Sequence, residues 1–298
     1  MKPIILVAGG TGNLGSKIIH ALLSKGADVR AIVRSETNKQ KVDELDHSGV
    51  HVIEADMESE ADLRQACESV TCVVSALQGL EDVIVDTQSR LLNAALVAGV
   101  RHFIPSDFSV DFTDLKEGDN RNFDLRRRFR SIIDQKPIRA TSIFNSAFAE
   151  NLTHGMPFLD IKTKKVGYVE SPDLKIDFTS MDNTAWYTAE AALDDLAPRD
   201  LHIASFRISA KEMAALATEV FGSPFQLYQL ATLDQLAEKN KKDREADPEG
   251  EKKIYPRWQQ SQYMHSMFSV RTGDLDNLRY PVKWDTARDL LISLKNGK

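Results

Sequence analysis

Apolar positions along this chain fall into short blocks whose period changes from one block to the next. Ile4-Ile5-Leu6-Val7-Ala8 is a continuous apolar run bounded by glycine, which predicts a strand, and Ile18, Ile19, Leu22 and Leu23 follow at helical spacing. The same alternation predicts further strands at Asp28–Val33, Val50–Ile53, Thr71–Ser75, His102–Pro105 and Ala140–Phe144, with helices at about 60–68, 82–99 and 123–135. A strand-helix rhythm of this kind implies an α/β fold with a doubly wound parallel sheet and right-handed crossovers.

Beyond about Phe158 the rhythm loosens. Gly167, Ser171, Pro172 and Asp173 predict a hairpin-like excursion over Val166–Ile176. Ile176–Thr179 is then expected to rejoin the main sheet, ahead of a helix from Met181 to Asp194. The mixed-sign charge run at 238–253 reads as a solvated helix end and loop.

The first strand runs directly into Gly9-Gly10-Thr11-Gly12-Asn13-Leu14-Gly15, giving the order strand, glycine turn, helix. Glycines at these spacings allow a tight turn, a close approach of backbone N–H groups to a pyrophosphate, and close packing of the helix on the strand. The unpaired donors and positive dipole end of that helix then face the phosphates. Gly9, Thr11, Gly12, Asn13, Leu14 and Gly15 are therefore candidate dinucleotide-binding residues.

An NAD site usually carries an acid at the end of its second strand, whereas Asp28–Val33 ends in Arg34. A guanidinium fork suits a 2′-phosphate, which points to NADP(H). Lys39 and Lys41 add positive charge or are solvated loop lysines, and Glu36 lies among them. Ligands of such sheets sit beyond the carboxyl ends of strands. Asp56 and Met57 could border the adenine, with capping of the next helix as the alternative for Asp56. Ala76, Leu77 and Gln78 would line the ribose and nicotinamide half. Ser106, Asp107 and Phe108 would line the nicotinamide pocket, or serve as turn residues. Asn145 and Phe148 follow the last strand as cofactor or substrate contacts, or as loop support. The expected division is a Rossmann domain over 1–157 that binds NADP(H), and a smaller α+β lobe over 158–298 that covers the substrate, with about 176–195 returning to the Rossmann sheet.

With 298 residues and 42% apolar content the chain can bury a substantial core. An excess of 44 acidic over 38 basic residues, a net charge of −6, offers no general attraction to nucleic acid or anionic lipid. Cys67 and Cys72 are too few for a disulfide framework, and none of the seven histidines forms a metal-spaced set. A cytoplasmic protein without a leader, a membrane span or a metal is expected, acting as a monomer or homodimer on a small molecule. Trp186, Tyr187, Phe225, Tyr228, Tyr263, Met264, Met267 and Phe268 offer surface for a flat ring, or core.

The glycine turn, the segment Leu96-Val97-Ala98-Gly99-Val100-Arg101-His102-Phe103-Ile104-Pro105-Ser106-Asp107-Phe108 and the stretch Phe123–Ile133 occur in one order that carries a family resemblance. The chain resembles the NmrA-like and isoflavone-reductase-like group of atypical short-chain dehydrogenases. That resemblance implies an NADP(H)-binding Rossmann fold. It also implies either reduction of an aromatic substrate, as in pinoresinol, phenylcoumaran benzylic ether and quinone reductases, or a non-catalytic redox-sensing role.

Two departures from the family pattern bear on activity. None of the six tyrosines is followed four residues later by Lys, so the ordinary short-chain dehydrogenase acid is missing. The resembling plant reductases place a Lys after Phe-Glu-x as general acid/base, and Phe123-Asp124-Leu125 puts Arg126 there. A guanidinium stays protonated and cannot exchange a proton, but it can hold a fixed charge beside an oxygen that becomes anionic as hydride arrives. The expected reaction is hydride transfer to a quinone or related aromatic acceptor, with Arg126 and Ser106 as candidate catalytic residues. The alternatives are a non-catalytic NADP(H)-binding regulator and, for Arg126 itself, a place on a wet helix face with Arg127, Arg128 and Arg130.

Overall fold

The apolar run at the start becomes strand β1 (Ile4–Ala8), and its neighbours follow in the predicted rhythm. They are α1 (Asn13–Ser24), β2 (Asp28–Val33), α2 (Lys39–His47), β3 (His51–Glu54), α3 (Glu60–Ala66), β4 (Cys72–Ser75), α4 (Gln88–Val97), β5 (His102–Ile104), α5 (Arg121–Ile133) and β6 (Arg139–Ala140). This is a computed structural model, and it describes residues 2–152 and 157–297. The strands form one sheet in the order β3-β2-β1-β4-β5-β6, every pair parallel. Both faces of β1 and β4 are covered, which is why they read as unbroken apolar runs rather than alternating ones. This is the doubly wound α/β Rossmann arrangement, and the strand order reverses between β1 and β4.

By its internal contacts the chain divides into two units, one of Met1–Phe108, Phe123–Ile143 and Thr184–Leu201, the other of Ser109–Asn122, Phe144–Asn183 and His202–Lys298. In the first, Leu6, Ile32, Leu63, Val73, Leu91, Phe103 and Phe129 are core residues, and the rings of Phe103 and Phe129 lie 6.1 Å apart. The helix predicted over 82–99 begins as one wider π-helical turn, Asp82–Thr87, before α4.

Three expectations are corrected. The predicted strand Ala140–Phe144 is two strands. β6 ends the main sheet, and β7 (Ser142–Phe144) pairs elsewhere, because the Ser142 amide turns to the carbonyl of Arg199 at 2.8 Å and the Thr141 hydroxyl to that of Pro198 at 2.8 Å. After β8 (Ala147–Phe148) and β9 (Leu159–Asp160), strands β10 (Lys165–Val169) and β11 (Lys175–Thr179) flank the predicted turn but form no hairpin. Glu170 at φ +63° redirects the chain, so β10 joins β9 while β11 joins β8. β11 therefore does not rejoin the main sheet.

The remaining elements are α6 (Met181–Leu193), β12 (Asp200–His202), β13 (Phe206–Ser209), α7 (Ala210–Phe221), β14 (Gln226–Ala231), α8 (Leu233–Ala246), α9 (Arg257–Ser269) and α10 (Ala287–Lys295). β14 completes the β10 sheet, β13 completes the β11 sheet, and β12 pairs with β7. A bidentate pair, Arg207 Nε to Asp177 Oδ1 at 2.6 Å and Nη2 to Oδ2 at 3.0 Å, crosses from β13 to β11. The second unit's core includes Phe158, Val166, Phe178, Met213, Met267 and Phe268. Tyr187, Phe225, Met267 and Phe268 are thus buried, whereas Tyr228 is exposed with Lys165 over its ring. The charged run forms the end of α8 and a short 3-10 turn, Pro248–Lys252. Among the described residues no helix is long and apolar enough to cross a membrane.

Candidate functional site

The carboxyl ends of β1 and β4 meet at the point where the strand order reverses, and the glycine turn stands there. Gly9 adopts φ +85°, and a Cβ on it would lie 2.6 Å from the carbonyl oxygen of Ala76. A Cβ on Gly15 would lie 2.2 Å from the carbonyl oxygen of Gly9, so only glycine lets α1 close onto the turn. Gly12 caps α1 without a side-chain acceptor, and no acid occupies the first turn. The amide of Gly12 itself donates to Gly9 at 3.0 Å. Helix α1 thus begins with donors that its own side chains leave unanswered, next to exposed Gly12 and Asn13 and half-buried Thr11 and Leu14.

Positive charge lies at the neighbouring strand end. Arg34 follows β2, exposed, its Nε 3.3 Å from Glu36 and its amide donating to Thr37 Oγ1 at 3.0 Å. Asn38 caps α2, and Lys39, its first residue, is exposed. The lysine brought to the glycine turn is Lys41, whose Nζ donates to the Thr11 carbonyl at 3.3 Å. Asp56 is exposed and accepts from the Glu58 amide at 2.9 Å, while Ser59 caps α3. Met57 and Leu77 pack against the first unit's core. Ala76 is half-buried and Gln78 exposed. Ser75, at the end of β4, buries a hydroxyl oxygen that has no hydrogen-bond partner among the described residues.

Ser106 is held from three directions. Its hydroxyl donates to the Leu77 carbonyl at 2.6 Å, its amide donates to Gln88 Oε1 at 3.0 Å, and its carbonyl accepts from Arg126 Nε at 2.9 Å. Gln88, fully buried on α4, went unmarked in the sequence, where it reads as one more helical polar residue. Asp107 is buried and accepts from the Ser142 hydroxyl at 2.7 Å. Burial raises its carboxyl above the ordinary range, and the Ser142 bond and the charges of Arg126, Arg199 and Arg130 offset this in part. Phe108 is also buried.

The arginines of α5 are engaged rather than merely wet. Arg130 forks onto Asp200 at 2.5 and 2.8 Å, Arg127 meets Asp124 at 2.7 Å, and exposed Arg128 meets Glu81 at 2.8 Å. Arg126 is half-buried, its guanidinium carbon 6.0 Å from the Phe123 ring centre. Asn145 belongs to the second unit and is fully buried; its main-chain oxygen accepts from Thr179 Oγ1 at 2.6 Å. Neither polar atom of its amide has a partner among the described residues. Burial pushes the Cys67 thiol up to about 12 and the Cys72 thiol higher still, so neither is a nucleophile at neutral pH.

The sequence and the fold are similar to those of known proteins. "Bifunctional pinoresinol-lariciresinol reductase 1" of Linum usitatissimum is 28% identical over 258 residues, covering 80% of this chain and 81% of that protein. "Pinoresinol reductase 2" of Arabidopsis thaliana is 30% identical over 216 residues, 67% of each. Among solved structures, an isoflavone reductase superposes with a TM-score of 0.83 at 20% identity, over 99% of this chain and all of that one. The structure of AtPrR2 with NADP+ and (+)pinoresinol gives 0.79 at 22% identity, over 98% of both chains. Residues 1–243 match the NmrA-like family, and the chain belongs to it.

Proposed function

We propose that the protein is a cytoplasmic NADP(H)-dependent oxidoreductase that transfers a hydride to a quinone or a related aromatic acceptor. The observation that carries this is the uncapped glycine turn at the sheet's switch point, where the space a Cβ would fill at Gly9 and Gly15 is already taken by backbone. The residues fit a dinucleotide phosphate. The first-turn N–H groups of α1 bind the pyrophosphate, and Arg34 and Lys41 face the 2′-phosphate as fixed and point charges. Ala76, Leu77 and Gln78 border the ribose, Asp56 and Met57 the adenine, and Ser106, Asp107 and Phe108 the nicotinamide end. Lys39 adds charge from the start of α2.

NADPH, when bound, supplies the hydride. The chain's own residues hold charge. Arg126 keeps its guanidinium against the Ser106 carbonyl and stays cationic throughout, so it stabilises an oxyanion without donating a proton. This favours acceptors that become stabilised anions on receiving hydride. A quinone takes one hydride to give a hydroquinone monoanion, and water supplies the proton that completes the hydroquinone. Relatives are named as pinoresinol-lariciresinol and pinoresinol reductases, which supports an aromatic acceptor.

The test is NADPH oxidation by the purified protein against a panel of quinones and phenylpropanoid acceptors. Turnover above the protein-free blank, reduced in Arg126→Ala, supports the reductase. Tight NADPH binding with no turnover of any acceptor replaces it with the non-catalytic NADP(H)-binding regulator.

A further inference from the structure

Gln88 is fully buried at the first residue of α4, where the wider turn Asp82–Thr87 gives way to the regular helix. A primary amide in such a place needs a partner at both its ends. Its Nε2 donates to the Ile84 carbonyl inside the wider turn at 2.6 Å, and its Oε1 accepts from the Ser106 amide at 3.0 Å. Each helical residue turns the chain by about 100°, so the surplus residue of a π-helical turn re-aims the side chains that follow it. Gln88 is thereby the residue aimed at the end of β5. The hydroxyls of Thr87 and Ser89 on either side go to carbonyls of their own helix, Asp82 at 2.9 Å and Val85 at 2.6 Å.

Ser106, just beyond β5, has two further anchors. Its hydroxyl donates to the Leu77 carbonyl at 2.6 Å, and its carbonyl accepts from Arg126 Nε at 2.9 Å. Gln88, Leu77, Ser106 and Arg126 all belong to the first unit. The N–H and C=O of Ser106 flank one Cα, so a rotation of this residue that moves its N–H also swings the carbonyl on which Arg126 rests. A buried N–H without an acceptor is costly, and loss of the Gln88 oxygen would turn Ser106 toward another one.

We infer that Gln88 is a positioning residue for hydride transfer. By holding the Ser106 amide it fixes the carbonyl that seats Arg126, and so the place of the guanidinium that meets the developing oxyanion. The inference rests on the reductase reading above, and it adds a neutral buried amide, aimed by the wider turn, to the residues on which the reaction depends.

Gln88→Glu is nearly isosteric and makes this hold titratable. Protonated, the introduced carboxyl donates to Ile84 and accepts from Ser106, as the amide does. Ionised, it has no hydrogen for the Ile84 carbonyl and repels that oxygen. Burial favours the neutral form and moves the ionisation upward. The kcat of Gln88→Glu, as a ratio to wild type, is expected to be near one at about pH 5 and to fall roughly tenfold or more by about pH 9. KM and the NADPH dissociation constant, read by fluorescence titration, are expected to stay close to wild type. The ratio removes the titration of Asp107 and the steady charge of Arg126, which both proteins share. Recovery on returning to low pH excludes loss of the fold. Gln88→Met, apolar and of similar length, is expected to lose as much kcat at every pH, and nothing further in the Arg126→Ala background. Exchange of the Ser106 amide, followed by NMR without cofactor or acceptor, is expected to be faster in Gln88→Met. A flat ratio in Gln88→Glu, wild-type kcat in Gln88→Met, unchanged Ser106 exchange, or a loss that adds in full to that of Arg126→Ala would overturn the inference while leaving the reductase standing. No turnover by the wild type would overturn the reductase reading and the catalytic role of Gln88 with it, and Ser106 exchange would still decide whether Gln88 holds that amide.

Discussion

The glycine turn and the arginine row of α5 reach fixed geometry by opposite means. Gly9–Gly15 is shaped by missing side chains, since backbone fills the volume that Cβ atoms would need at Gly9 and Gly15. Helix α5 is shaped by side chains with assigned acceptors: Arg121 on four carbonyls, Arg126 on Ser106, Arg130 on Asp200. The first kind of site tolerates no addition. The second tolerates no loss, because removing one partner strands a charge or a carbonyl.

Adding a methyl to the turn is expected to have the largest effect. Gly9→Ala forces an L-residue to φ +85° and drives a methyl to 2.6 Å from the Ala76 oxygen. The expected cost is about 2–4 kcal/mol of stability, with NADPH binding lost, read by urea denaturation and fluorescence titration. A wild-type midpoint with intact binding would show that the turn is softer than its geometry indicates. Removing a partner from the row comes next. Arg130→Ala leaves Asp200 without its fork, with only Arg199 Nη1 at 3.6 Å, for about 2 kcal/mol after allowance for partial exposure. NADPH affinity should change little, so a fall in affinity equal to that of Gly9→Ala would erase the distinction between the two regions. Arg34→Glu is expected to leave the denaturation midpoint unchanged, because Arg34 is exposed. It should weaken NADPH binding roughly tenfold or more while sparing NADH. Equal losses for both cofactors would remove Arg34 from the 2′-phosphate.

Legibility in the sequence follows the same divide. Ile4–Ala8 and Cys72–Ser75 were visible because strands covered on both faces are uniformly apolar. The turn was visible because a positive φ and backbone-to-backbone contact admit only glycine. The choice between Lys39 and Lys41 was not visible, because it depends on where Asn38 caps α2 and which side of that helix then faces Thr11. Nor could the pattern show that Thr141 and Ser142 turn to Pro198 and Arg199, ending the sheet at Ala140. Asn120-Arg121-Asn122 precede the helix expected at about 123–135 and carry no apolar residue to signal burial. Their burial became evident only with α9 in place, some 140 residues later in the chain.

What the sequence by itself determined is local: the strand-turn-helix start and the parallel α/β rhythm. These follow from periodicity and backbone sterics, neither of which needs a distant partner. The tertiary structure alone decided which polar groups are buried and what satisfies them: Ser106 with Gln88 and Arg126, Asp107 with Ser142, Arg121 with the turn before α9. Burial of a polar group is stable only when acceptors and donors from remote segments converge on it, and that convergence is a property of the folded chain.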